Sequence, residues 1–163
     1  MTDPIQTKDW AGWPLTERLV QLAAYHCDVL KVQEEPRGSN RGPWVDKYLA
    51  SAGAEPGEPW CASFVTYLLK ECGLQNLPDD PAAVINWSRW AEGTNRIVAD
   101  PDRGDLFFLL HANGEGHIGI IVENLGTSIR TIEGNSNTDG SRDGYEVVRH
   151  VRPLSGLRFI RIN

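Results

Sequence analysis

An α+β fold, with amino-terminal helices packed on a carboxy-terminal antiparallel sheet of about five strands, is predicted by three observations. Apolar residues recur at helical spacing through the first half of the chain, and short β-rich runs separated by turn residues follow after about residue 104. The two kinds of segment occupy separate stretches instead of alternating, which argues against βαβ units. At 163 residues, 40% hydrophobic and 23% charged, the chain has the length and composition of one globular domain with one core.

Pro14 opens the first predicted helix, "PLTERLVQLAAYHCDVLKV", in which Leu15, Leu19, Leu22, His26 and Leu30 recur at helical spacing. His26 reads as part of its packed face. The turn-rich "EEPRGSNRGP" ends that segment, and "PWVDKYLASAG" follows with Pro43 at its start and Gly53 past its end. In "EPWCASFVTYLLKECG" the apolar positions Phe64, Val65, Leu68, Leu69 and Cys72 lie at offsets of 3, 4, 7, 8 and 11 from Cys61, so Cys61 falls in a helix's first turn, in line with its core face. A fourth helix is expected over "PAAVINWSRWAEG", with Asp80 as N-cap, Pro81 at the first position and Gly93 as stop. The strands are "DLFFLL", "HIGIIVENL", "IRTIEG", "YEVVRHV" and "LRFIRI".

A formal net charge of -6 and the lack of a Lys/Arg-rich run exclude nucleic acid as an expected partner. No stretch approaches the ~18 apolar residues of a membrane span, and "MTDPIQTKDW" has neither the basic start nor the apolar block of an export signal. The three cysteines, Cys27, Cys61 and Cys72, form no C-x-x-C pair, so neither a disulfide framework nor a thiolate zinc site is expected.

A thiol in a helix's first turn feels the positive end of the macrodipole, which favours the nucleophilic thiolate. Taken alone, a cysteine in an apolar helix reads as core, and Cys27 and Cys72 keep that reading. Cys61 gains weight from "GEGHIGIIVE", where His117 shares a strand face with Gly119 and Ile121 and has space beside two glycines. A catalytic imidazole needs a partner to fix its tautomer. In "IRTIEGNSN", Glu133 shares a face with Ile129 and Thr131, and Asn135 follows two residues later, so either polar side chain can sit beside His117.

The ordered set "PWCASFV", "RGDLFFL", "GHIGIIVE", "IEGNSN" and "GYEVVRHVR" resembles the CHAP family, cysteine- and histidine-dependent amidohydrolases and peptidases of papain-like fold, over roughly residues 34 to 152. Residues 1–33 then form a helical extension within one domain. The resemblance implies Cys61 as nucleophile, His117 as general base and then acid, and Glu133 with Asn135 as the orienting pair. It also implies an oxyanion hole that uses the nucleophile's own backbone N–H. The implied substrates are amide bonds of bacterial peptidoglycan, within stem or cross-bridge peptides or between the lactyl group and the first L-alanine.

Two other patterns compete. Residues 135 to 146 place Asn135, Asn137, Asp139, Gly140, Asp143 and Glu146 at the positions of a calcium loop, but its first ligand is a neutral Asn and strands are expected to flank it. His111, His117 and His150 lack zinc-site spacing, so no metal and no cofactor are expected. Of the six tryptophans, Trp44, Trp60, Trp87 and Trp90 fall in segments that would surround Cys61; most read as core, and Trp60 and Trp87 are the candidates for a substrate-groove wall. The expectation is a monomeric lysin or antibacterial effector, made in the cytoplasm without a signal peptide and brought to the wall by another system. Two alternatives stay open: an amidase acting on a soluble γ-glutamyl or polyamine amide, and a non-enzymatic wall- or glycan-binding module.

Overall fold

In the computed structural model, which describes residues 10, 12–138 and 144–163, the described residues form four α-helices followed by six strands. Helix α1, Leu15–Ala24, begins after Pro14 and buries Leu19, Val20, Leu22 and Ala23. It then widens into a π-helical turn, Tyr25–Val29, in which Leu30 N donates to Tyr25 O at 3.0 Å. His26 lies in that turn, fully buried, with its Nδ1 2.6 Å from the Tyr48 hydroxyl, so it belongs to the packed face.

Helix α2, Pro43–Ser51, has its proline in the first turn and buries Val45, Tyr48 and Leu49. Helix α3 spans Cys61–Glu71, with Trp60 as N-cap and Cys72 as C-cap. Gly73 takes a φ of +94°, and Leu74 N returns to Leu69 O at 3.0 Å, the left-handed stop for which glycine is suited.

Helix α4 runs Val84–Gly93, three residues shorter at its start than expected. Asp80 has a φ of +49° and cannot act as N-cap, and the Pro81 carbonyl accepts the Trp87 indole N–H at 2.9 Å in place of a helical donor. Ala83, in extended conformation, is the N-cap.

The strands are β1, Ile97–Val98; β2, Leu106–Leu110; β3, Gly116–Asn124; β4, Ser128–Ser136; β5, Glu146–Pro153; and β6, Arg158–Ile160. They form one antiparallel sheet in the order β1-β6-β2-β3-β4-β5. The fold is therefore α+β as predicted, with one strand more than the five expected. The additional strand, β1, has only two residues, too few for an alternating pattern to register.

The sheet separates two apolar clusters. Ile118 and Ile120 of β3, Ile132 of β4 and Leu106 and Phe108 of β2 join Phe64, Val65, Leu68 and Leu69 of α3 in the main core. Phe107, Ile121, Ile129 and Phe159 form a smaller cluster from the alternate positions. Helix α3 packs on β3 and β4, and Gly134 lets it come close: a Cβ there would lie 2.8 Å from Phe64 Cβ and 2.9 Å from the Trp60 ring. Gly134→Ala should therefore lower stability by about 1–3 kcal/mol through overpacking. The expected reading is a lower urea midpoint with an unchanged m-value.

Candidate active site

Cys61 is the first residue of α3, so its backbone N–H has no partner within the helix and points toward the helix's open end. His117 is the second residue of β3. Its neighbours Ile118 and Ile120 enter the main core while Ile121 enters the smaller one, so the sulfur comes from the helix layer and the imidazole from the alternate side of β3. They meet at the strand's end, where both line one cleft and the sulfur is close enough to favour a charged imidazole.

The other side of the imidazole belongs to Glu133, whose Oε1 lies 2.7 Å from His117 Nε2. With Nε2 engaged there, Nδ1 is the ring nitrogen left to exchange a proton with Cys61. Gly119 makes this reach across strands possible. A Cβ at that position would lie 2.8 Å from Glu133 Cγ and 2.6 Å from the Phe107 ring, so the carboxylate occupies the space a side chain would take.

Glu133 is fully buried and every acceptor site on it is used. Oε1 accepts from His117 and from Arg152 Nη2 at 2.6 Å; Oε2 accepts from Arg152 Nε at 2.6 Å and from the Thr131 hydroxyl at 2.5 Å. Phe107 forms the floor, with its ring centroid 6.1 Å from that of His117 and 5.3 Å from Arg152 Cζ. Burial pushes the Glu133 carboxyl up, but the hydrogen bonds from Arg152 and then His117 outweigh it and bring the group down to about 2. Burial likewise works against a charged His117, yet its hydrogen bonds to Cys61 and Glu133 raise it to about 9.

The pair opens on a cleft of about 880 Å³. Its walls are rich in small residues: Gly38 and Asn40, the Ala82–Ala83 segment, and Gly114 with Gly116. Asn135, in left-handed conformation at φ +54°, lines the same cleft, while the His117 ring N–H is accepted by Glu133. His150 also lines it, 2.8 Å from the Ser136 hydroxyl, and burial lowers its pKa.

A family model described as the CHAP domain matches residues 53–135, just over half of the chain and inclusive of Cys61, His117, Glu133 and Asn135. The chain belongs to the CHAP family. Membership brings a cysteine- and histidine-dependent amidohydrolase or peptidase activity, a hydrolase acting on amide or peptide bonds. The comparisons with curated proteins and with solved structures gave no match. Among the described residues, no helix is long and apolar enough to cross a membrane.

Other site residues land elsewhere than the sequence suggests. Trp60 and Trp87, expected in the groove wall, are both fully buried and absent from the cleft lining. The Trp60 indole N–H donates to Glu34 at 2.9 Å and that of Trp87 to Pro81 O, so each ring has a polar partner inside the protein. His111, His117 and His150 do line one cleft, but among the described residues no three His, Cys, Asp or Glu side chains are grouped to hold a metal. The calcium-like loop is flanked by strands β4 and β5; its Asp139, Gly140 and Asp143 lie outside the described residues.

Arg152 and Thr131 were not singled out from the sequence. Thr131 was visible on the Glu133 face. Arg152 pairs with Ile129, four residues along β4 from Glu133, and only its long side chain brings it to the carboxylate, a relation that depends on the β4–β5 register.

The paired charges set a pH window. Glu133 is lowered from 4.5, so its contribution to stability is full above 4.5 and is lost as the pH falls toward 2. His117 is raised from 6.5, so its contribution is full below 6.5 and is lost as the pH rises through about 9. Glu133→Gln should destabilise the protein by about 3–5 kcal/mol near neutral pH, by leaving Arg152 without its buried partner. It should also flatten both limbs of a plot of melting temperature against pH.

Proposed function

We propose that this CHAP protein hydrolyses amide bonds of bacterial peptidoglycan as a cysteine amidase or endopeptidase, through an acyl-enzyme. The observation that carries the reading is the convergence of Cys61 and His117 on one cleft, with His117 Nε2 bonded to the buried Glu133. In a cleft otherwise lined mainly by polar side chains, Gly38, Ala82, Ala83, Gly114 and Gly116 leave room for an extended peptide with small side chains, such as the stem and cross-bridge peptides of the wall.

In the first half-reaction the proton given up by the Cys61 thiol already resides on His117, which stays charged up to about pH 9, and the sulfur attacks the carbonyl carbon. The oxyanion faces the Cys61 N–H at the start of α3, where the helix presents unpaired donors. The C–N bond breaks as His117 passes its proton to the departing amine, leaving a thioester on Cys61. In the second half-reaction His117 takes a proton from water, the hydroxide adds to the thioester, and the acid leaves with regeneration of the sulfur. Glu133 keeps Nε2 oriented and offsets the positive charge that His117 carries between the steps. Asn135, at the same end of the cleft, is the second polar side chain assigned to support this arrangement.

A binding module that uses tryptophans finds little support, because Trp60 and Trp87 are buried and Trp44 and Trp90 are half-buried. The amidase acting at the wall requires delivery there, and a lysis or antibacterial role follows from that substrate.

Cys61→Ala should keep the fold and lower release of fragments from purified peptidoglycan by at least about 10³-fold, the scale on which loss of a nucleophile collapses catalysis. Mass spectrometry of the fragments gives the bond cut. Unchanged turnover by that variant ends the assignment. The alkaline limb of the rate profile should fall near pH 9, where His117 loses its proton, and should move to lower pH in Glu133→Gln.

A further inference from the structure

Glu34 is a carboxylate only 3% exposed, it lies outside the residues matched by the CHAP family model, and the chemistry above makes no use of it. Keeping a carboxylate buried is costly unless its oxygens are well bonded. One oxygen, Oε1, accepts the Trp60 indole N–H at 2.9 Å; the other, Oε2, accepts the backbone N–H of Gly38 at 2.7 Å.

These two donors belong to the surroundings of the reacting sulfur. Trp60 is the N-cap of α3 and immediately precedes Cys61, while Gly38 is part of the cleft wall. The Trp60 ring is already confined by Tyr48, stacked at 5.8 Å, and by Gly134, whose close approach leaves no room for a Cβ. Sliding within the ring's own plane is what the bond to Glu34 prevents. Glu34 is itself anchored through its backbone, since its N–H donates to Tyr145 O at 2.8 Å and Val147 N donates to Val32 O at 3.0 Å.

We propose that Glu34 is a positioning residue: by bonding Trp60 and Gly38 together it sets the place of the Cys61 sulfur and backbone N–H relative to His117 and the opposing cleft wall. A neutral amide does not substitute. Gln presents one acceptor and one donor, and its NH₂ would confront either the indole or the Gly38 N–H. The inference rests on the amidase reading for its kinetic consequence, but the reactivity of Cys61 tests it without a substrate.

The experiment compares the full chain with its Glu34→Gln and Trp60→Phe variants. Reactive Cys61 is counted and timed with iodoacetamide, turnover on purified peptidoglycan is expressed per reactive site, and melting temperature is followed in parallel. Both variants should lose about 10–100-fold in kcat per reactive site, with KM within twofold, as expected from misplacement by a fraction of an ångström. Alkylation per site at pH 7 should slow in the same order, and the double variant should be no worse than the more affected single one.

Unchanged kcat and alkylation rate per reactive site, with only a lower melting temperature or fewer reactive sites, would reduce Glu34 to loop support and overturn the proposal. A raised KM at unchanged kcat would do the same, by making it a part of the substrate wall. Should the wild type release no wall fragments, the amidase reading fails separately. Slower Cys61 alkylation in Glu34→Gln or Trp60→Phe would then still uphold the positioning role, and an unaltered rate in both would end it.

Discussion

The arrangement depends on one carboxylate that has no contact with water. Glu133 is tolerated in the interior because each of its lone-pair directions meets a donor: a guanidinium twice, a hydroxyl and an imidazole. Those donors come from three adjacent strands, β3, β4 and β5. The group is therefore both an electrostatic centre and a cross-strand fastening. Without Arg152 the carboxylate would lack the cation that keeps it ionised in apolar surroundings, and an unionised Glu133 would not hold a proton on the histidine.

Two absent side chains matter as much as those present. Gly119 clears the path between neighbouring strands so that a carboxylate reaches an imidazole, and Gly134 lowers the start of α3 onto the sheet. Together they bring a sulfur from the helix layer and a ring from the alternate side of β3 to a common point. Phe107 beneath the ring then excludes solvent from the pair, which strengthens its interactions in a medium of low polarity.

What could be read in the sequence was what local pattern encodes. Helical spacing and a terminal glycine located α3 and put Cys61 in its first turn; strand alternation and a glycine-rich turn located His117; and the parity of β4 put Glu133 on a usable face. Long-range relations were not legible. The register that brings Arg152 to Glu133 is a property of two strands, the insertion of β6 between β1 and β2 leaves no local mark, and the burial of Trp60 depends on a carboxylate at residue 34. A large aromatic next to a nucleophile reads as a groove wall only while the distant acceptor for its N–H is unknown. The late start of α4 has the same origin, since the Trp87 and Asn86 side chains capture the carbonyls of Pro81 and Asp80.

The place of β5 in the sheet has a further consequence. It is an edge strand, joined to β4 along one side; along the other, residues 32 to 34 run beside Tyr145 and Val147, and Asp28 pairs with Arg149. Arg152 sits beyond these contacts, toward the opposite end of the strand. Edges fray before interiors, so warming should loosen the strand that carries the guanidinium before the helices and central strands. Heat inactivation of this hydrolase should then set in below its cooperative melting, and the gap between the two would measure how firmly a single border of the sheet is held.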